Sequence, residues 1–180
     1  LAKGGIVFLA SDCLGANKPG FIESELPIEE NMLNIVKNAK KSVFATAISS
    51  NIGRFQQMIN VARKVGRKVI FVGRSIQKKT EMAYNLGYLK YSNDQIISFK
   101  EIGNYKPNQI MYIVAGCYGQ VGSSIYRISQ GDHDKVKVNE GDTFIFSADP
   151  APPYSKESED FVIDNLINKG VDVHYYDLNE

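Results

Sequence analysis

The chain has 180 residues and a formal net charge of +1, with 43% hydrophobic and 23% charged residues, which fits one globular domain of ordinary composition. This charge excludes a protein that grips nucleic acid with a uniformly basic surface, although it leaves room for a local basic patch. We expect free thiols and a cytoplasmic location, since the only cysteines, Cys13 and Cys117, lie far apart in sequence. No apolar run is long enough for a membrane span, so no membrane partner is expected. The two histidines, His133 and His174, are too scattered to predict a metal site within this chain.

Strand-like and helix-like segments alternate along the chain. Apolar runs predict strands, and apolar residues at helical spacing, often ended by glycine, predict helices. The predicted strands are Gly5–Asp12, Ser42–Ile48, Lys68–Gly73, Gln95–Phe99, Gln109–Ala115, Thr143–Ser147 and Val171–Tyr176. The predicted helices run from Pro27 to Ala39, Asn51 to Ala62, Ser75 to Leu86, Gly122 to Ser129, and from the cap Ser155 to just before Gly170. This alternation predicts an α/β fold with a doubly wound, mostly parallel sheet and helices on both faces.

The segments that follow the strands are the candidate ligand site, because open α/β sheets bind ligands beyond the carboxyl ends of their strands. Ser49, Ser50 and Asn51 end one strand and begin a helix, whose free N–H groups attract anions. Arg54 lies one turn further, and Arg74 and Ser75 follow the next strand. The pattern predicts a phosphate site, with the alternative that Ser50 or Asn51 is only a helix cap.

A second candidate is the run Gly116, Gly119 and Gly122, which follows a strand and begins a helix. Its G-x-x-G-x-x-G spacing departs from the dinucleotide pattern G-x-G-x-x-G, so nicotinamide binding is the weaker interpretation.

Five segments carry motifs in a recognisable order: Phe8–Phe21 (FLASDCLGANKPGF), Ala47–Gln57 (AISSNIGRFQQ), Gly66–Ser75 (GRKVIFVGRS), Val114–Gln120 (VAGCYGQ) and Glu140–Ser147 (EGDTFIFS). Together they resemble the β-CASP domain of RNase J-like nucleases of the metallo-β-lactamase fold. The typical family patterns are S-D-S-T-N-A-x-x-P-G-[FY], S-S-N-x-x-R-x-Q-Q, G-R-K-V-x-x-x-G-R-S, T-G-S-Q-G-E and P-G-D-T-V-I-x-S. The resemblance covers nearly the whole chain, which is identified as a single β-CASP domain, residues 1–180, of a longer protein.

The resemblance implies a domain that clamps RNA, single-stranded and with a 5′ phosphate, for a zinc-dependent ribonuclease. The two zinc ions belong to the metallo-β-lactamase domain, whose H-x-H-x-D-H motif this chain lacks, so no metal and no activity are expected of the chain alone. Asp12 corresponds to a carboxylate that orients a zinc-binding histidine. The implied RNA-phosphate contacts are Ser49, Ser50, Asn51, Arg54, Arg74 and Ser147.

The sequence also departs from the family. Cys13, Leu14 and Gly15 replace Ser, Thr and Asn, and Cys117–Gln120 replaces S-Q-G-E. These departures leave open a degenerate relative that binds RNA poorly or cuts a different substrate, and a β-CASP binding or scaffold module without nuclease activity. A nucleotide-binding Rossmann-like domain is the weaker alternative.

Overall fold

A computed structural model describes residues 24–148 and 153–175, together with residues 4, 5, 8, 10 and 19–21. Asp12 and the predicted strand Gly5–Asp12 lie wholly or largely outside the described residues. The helices are α1 (Leu26–Asn38), α2 (Ile52–Lys64), α3 (Arg74–Asn85), α4 (Ser124–Gln130) and α5 (Lys156–Asn168). The strands are β1 (Val43–Thr46), β2 (Lys68–Val72), β3 (Ile110–Val114), β4 (Thr143–Phe146) and β5 (Asp172–Tyr175).

The five strands form one parallel sheet in the order β2-β3-β1-β4-β5. Every pair in this order runs parallel, because a helix or a long connection returns the chain to the same edge before the next strand begins. The predicted α/β fold with a parallel sheet is thereby confirmed. The order itself puts β3 between β1 and β2, although β2 follows β1 along the chain.

Each face of the sheet has its own hydrophobic core. Alternate residues of a strand point to opposite faces, so Val43 and Ala45 of β1 pack on one side and Phe44 packs on the other. The first core is completed by α1, α2 and α3, and the second by α4 and α5. In the second core the ring of Phe44 stacks between Tyr112 and Phe144, with centroid distances of 4.6 and 5.6 Å. Helices therefore cover both faces, as predicted.

Two local predictions differ from the structure. Gln95–Phe99 forms one β-bridge, between Ile96 and Val69, rather than a strand, although it does cover the outer edge of β2. Ser155 precedes α5 as predicted, but its side chain makes no capping hydrogen bond. None of the described helices is long and apolar enough to cross a membrane.

Candidate functional site

A groove lies beyond the carboxyl ends of the neighbouring strands β1 and β3. The helix that follows β1, α2, packs on one face of the sheet, and the helix that follows β3, α4, packs on the other. The chain thus leaves two adjacent strands in opposite directions, which opens a crevice between them. The groove has a volume of about 580 Å³ and is lined by the ends of β1, β2 and β3.

Two glycines let the strand-end loops pass close together at the floor of the groove. Gly73 has φ +119°, and a Cβ there would lie 2.7 Å from the Cβ of Ala115. Gly116 has φ +103°, and a Cβ there would lie 2.5 Å from the Cβ of Ser123. L-residues with a side chain rarely adopt these conformations, so glycine is required at both positions. The glycine run that suggested a dinucleotide loop therefore has a packing role at Gly116.

One cation lines the groove and a second contacts one of its residues, and both lie in the first two turns of α3. Arg74 is the first residue of this helix and is exposed, and Ser75 beside it also lines the groove. From the next turn, Lys79 Nζ donates to Ser49 Oγ at 2.9 Å, across the end of β3. The first turn of α3 contains no acidic residue. Positive side chains at the positive end of a helix are unfavourable for stability, and they are favourable for holding an anion.

Lys79, which contacts the groove residue Ser49 without itself lining the groove, was not predicted from the sequence. An exposed lysine in a helix carries no periodic signal, and its position depends on the strand order. The adjacent pair Lys78-Lys79, one turn after Arg74, is the only sequence feature that could have drawn attention to it.

The structure brings Arg54 and Ser147 together, away from Arg74. Arg54 is 93% buried. Its Nη1 donates to Ser147 Oγ at 2.5 Å, and its Nη2 lies 3.1 Å from Glu25 Oε2. This arginine therefore joins α2 to the residue that follows β4 and to Glu25, which precedes α1. Arg54 and Ser147, two of the residues predicted to contact RNA phosphates, are thus hydrogen-bonded to each other.

The residues before α2 divide between two roles. Asn51 Oδ1 accepts a hydrogen bond from Arg54 N at 2.9 Å, so Asn51 caps the helix as the alternative interpretation held. Ser49 lines the groove, whereas Ser50 is exposed and is not among the lining residues. Of the predicted phosphate contacts, the groove thus contains Ser49, Arg74 and Ser75.

Two further residues of the quoted motifs support the opposite edge of the sheet. Asp142 Oδ1 and Oδ2 accept hydrogen bonds from Ser42 N at 3.0 Å and Asn139 N at 2.8 Å, and burial raises the pKa of this carboxyl group. Arg67 donates to the backbone carbonyls of Ala39, Lys41 and Ile110, and burial lowers the pKa of its guanidinium. Both residues join the beginnings of strands to neighbouring loops, so their role is structural.

Zinc ligands were not expected in this chain. Within residues 24–148 and 153–175 and the few others described, no three His, Cys, Asp or Glu side chains lie close enough to hold a metal ion. Cys117, which lines the groove, is a buried thiol. The resemblance assigns the two zinc ions to a metallo-β-lactamase domain, and no zinc-dependent step is assigned to the described residues.

Comparison with known proteins gives one consistent result. The family model described as "Ribonuclease J, beta-CASP domain" matches residues 40–166. Ribonuclease J of Thermus thermophilus is 34% identical over 171 residues, which cover 95% of this chain and 30% of that protein. Ribonuclease J 1 of Streptococcus pyogenes is 31% identical over 179 residues (99% of this chain, 32% of that protein), and Ribonuclease J2 of Bacillus subtilis is 28% identical over 152 residues (84% and 27%). The chain spans about a third of the length of these relatives.

Proposed function

Since the chain belongs to the ribonuclease J β-CASP domain family, we propose that it clamps RNA for a ribonuclease through the groove at the carboxyl ends of β1, β2 and β3. The observation that carries this proposal is a pair of cations from the first two turns of α3. Arg74 lines the groove, and Lys79 donates a hydrogen bond to Ser49, which also lines it. The substrate is single-stranded RNA with a 5′ phosphate, and the protein acts in the cytoplasm.

Phosphate binding in this groove follows from the groups that line it. Arg74 offers a planar guanidinium that fits a phosphate with two parallel hydrogen bonds, and Lys79 adds a second positive charge. The hydroxyl groups of Ser49 and Ser75 supply further hydrogen bonds. A charge-assisted hydrogen bond of this kind contributes roughly 1.5–3 kcal/mol where water is excluded.

Arg54 and Ser147 support the clamp indirectly in this proposal. Their hydrogen bond joins the beginning of α2 to the end of β4, and so holds the loop that carries Ser49. They are positioning residues, and Asn51 belongs with them as the helix cap. Ser50 is exposed near the helix start and extends the RNA path beyond the groove.

The hydrolytic chemistry belongs to residues outside the described part of the chain. A metallo-β-lactamase domain of the same protein would hold the two zinc ions, whose chemistry when bound is the activation of water for phosphodiester hydrolysis. Asp12 would orient one of the histidine ligands. The β-CASP domain then contributes binding and orientation of the RNA, and no group that reacts.

The test is RNA binding by the intact protein with Arg74→Ala and Lys79→Ala. We expect each variant to bind 5′-phosphorylated single-stranded RNA about tenfold more weakly, with the slope of log affinity against log salt shallower by about 0.7 for each phosphate that the protein no longer neutralises. Arg63→Ala and Lys100→Ala are matched controls, because both are exposed cations that do not line the groove. Wild-type affinity and salt slope in both groove variants would reject the proposal.

A further inference from the structure

Tyr118 lies in the wall of the groove, on a tight turn that follows β3. The turn is closed by a hydrogen bond from Gly119 N to Gly116 O at 2.8 Å. Gly119 has φ +66°, and a Cβ at this position would clash with the carbonyl group of Ser158 in α5. The backbone of the turn thus packs directly against α5 at the residue next to Tyr118.

The surroundings of Tyr118 combine an aromatic side chain with cations. Its side chain is half-buried and lines the same groove as Ser49, Arg74 and Gln120. A groove of about 580 Å³ is within the range of roughly 300–1,000 Å³ that small-ligand sites occupy. Proteins that bind single-stranded nucleic acid use this combination, with cations along the backbone and aromatic rings on which bases stack.

We propose that Tyr118 stacks on one base of the bound RNA, next to the phosphate held by Arg74 and Lys79. This inference rests on the proposed function, and adds to it a base subsite that accepts any of the four bases, because each has a π-face. Gln120, exposed on the same stretch of chain, offers amide donors and an acceptor to the edge of that base. The subsite would favour unpaired RNA, since a base inside a duplex cannot stack on a protein side chain.

The experiment compares Tyr118→Leu and Tyr118→Phe in the intact protein, using 5′-phosphorylated single-stranded RNA. A second series replaces one nucleotide at a time with an abasic ribose. We expect Tyr118→Leu to weaken binding by about 5- to 100-fold, and Tyr118→Phe, which keeps the ring, to stay within about twofold of wild type. One abasic position should weaken RNA binding by wild type and by Tyr118→Phe to a similar extent. The same position should have little further effect on the affinity of Tyr118→Leu.

Three outcomes separate this inference from the proposed function. If Tyr118→Leu binds as wild type, or if every abasic RNA weakens both proteins equally, Tyr118 is only a wall of the groove and the inference is wrong. If Arg74→Ala and Lys79→Ala also bind RNA as tightly as wild type, the proposed function is wrong as well as the inference about Tyr118. Should Tyr118→Leu not fold, the abasic series on wild type and Tyr118→Phe decides, and full affinity for every abasic RNA overturns the inference.

Discussion

Arg67 and Arg74 lie seven residues apart on either side of β2, and they have opposite roles. Arg67 is 96% buried, and its guanidinium donates to three backbone carbonyls at the amino-terminal edge of the sheet. Arg74 is exposed at the carboxyl-terminal edge, and no ion pair joins it to another described residue. A buried cation with satisfied hydrogen bonds contributes to stability, whereas an exposed cation at a helix start is available to a ligand.

This contrast predicts the stability of two variants. Arg67→Ala leaves the carbonyls of Ala39, Lys41 and Ile110 without their donor, so we expect the free energy of unfolding to fall by about 3 kcal/mol. Arg74→Ala should stay within about 0.5 kcal/mol of wild type. Urea unfolding measures both values. An Arg67→Ala variant as stable as wild type would contradict the structural role given to Arg67.

Gly73 is a residue at which a single added methyl group would change the shape of the groove. Gly73→Ala combines a disfavoured backbone conformation with a contact of 2.7 Å to Ala115 Cβ, so we expect stability to fall by about 2–4 kcal/mol together with weaker RNA binding. Gly66→Ala is the matched control: Gly66 also has positive φ, +72°, but no atom lies within 4 Å of its Cβ position. This control should be destabilised by only about 1 kcal/mol and bind RNA normally. Equal decreases of stability and affinity in the two variants would show that the groove loops have room for a side chain.

At the scale of elements, α1 and α2 pack side by side and share a polar contact as well as the first hydrophobic core. Lys64 Nζ donates to Glu29 Oε1 at 2.7 Å, and Asn60 Nδ2 donates to Glu29 Oε2 at 3.2 Å. Burial alone would raise the pKa of Glu29. The hydrogen bonds from Lys64 and Asn60, together with the positive charges of Lys64 and Arg63, nevertheless lower this pKa below its ordinary value of 4.5. The ionised carboxylate therefore stabilises the contact between the two helices.

This contact makes stability depend on pH in a defined direction. The pKa of Glu29 is lower in the folded than in the unfolded state, so its contribution is present above about pH 4.5 and disappears as the pH falls through the folded-state pKa. We expect Glu29→Gln to cost about 0.5–1 kcal/mol at pH 7 and to show a smaller deficit in acid. Urea unfolding at several pH values measures this loss of stability, and Glu30→Gln, at an exposed neighbouring position, is the control. A deficit that stays constant from neutral pH into acid would contradict the assigned ion pair.

The elements were predictable where the local pattern is strong, and the site was predictable only in part. Strand β3 and helix α2 follow from an apolar run and a helical apolar face, and the motif order indicated the family. The strand prediction for Gln95–Phe99 was wrong, because the apolar residues of this short segment make one β-bridge to β2 and no continuous ladder of strand pairing. The partners of Arg54 are remote in sequence, since Ser147 lies 93 residues away, so its burial depends on a strand order that no local pattern encodes.

In the proposed function, RNA binds at one end of the sheet, and the hydrogen bonds at the other end support the fold. The amino-terminal edge holds Asp142 and Arg67 in internal hydrogen bonds, and the carboxyl-terminal edge opens into the groove with Arg74 and Lys79. With a net charge of only +1, the chain cannot attract RNA equally over its whole surface. We therefore expect RNA to contact one edge of the sheet and not the other.

Hydrogen–deuterium exchange of the intact protein, with and without 5′-phosphorylated single-stranded RNA, tests this expectation most directly. RNA should slow exchange in residues 47–51, 73–79 and 115–124, which surround the groove, and leave residues 39–42, 66–68 and 139–142 at the opposite edge unchanged. Protection of the opposite edge, or an RNA complex with no protection around the groove, would contradict RNA binding at the carboxyl-terminal edge of the sheet.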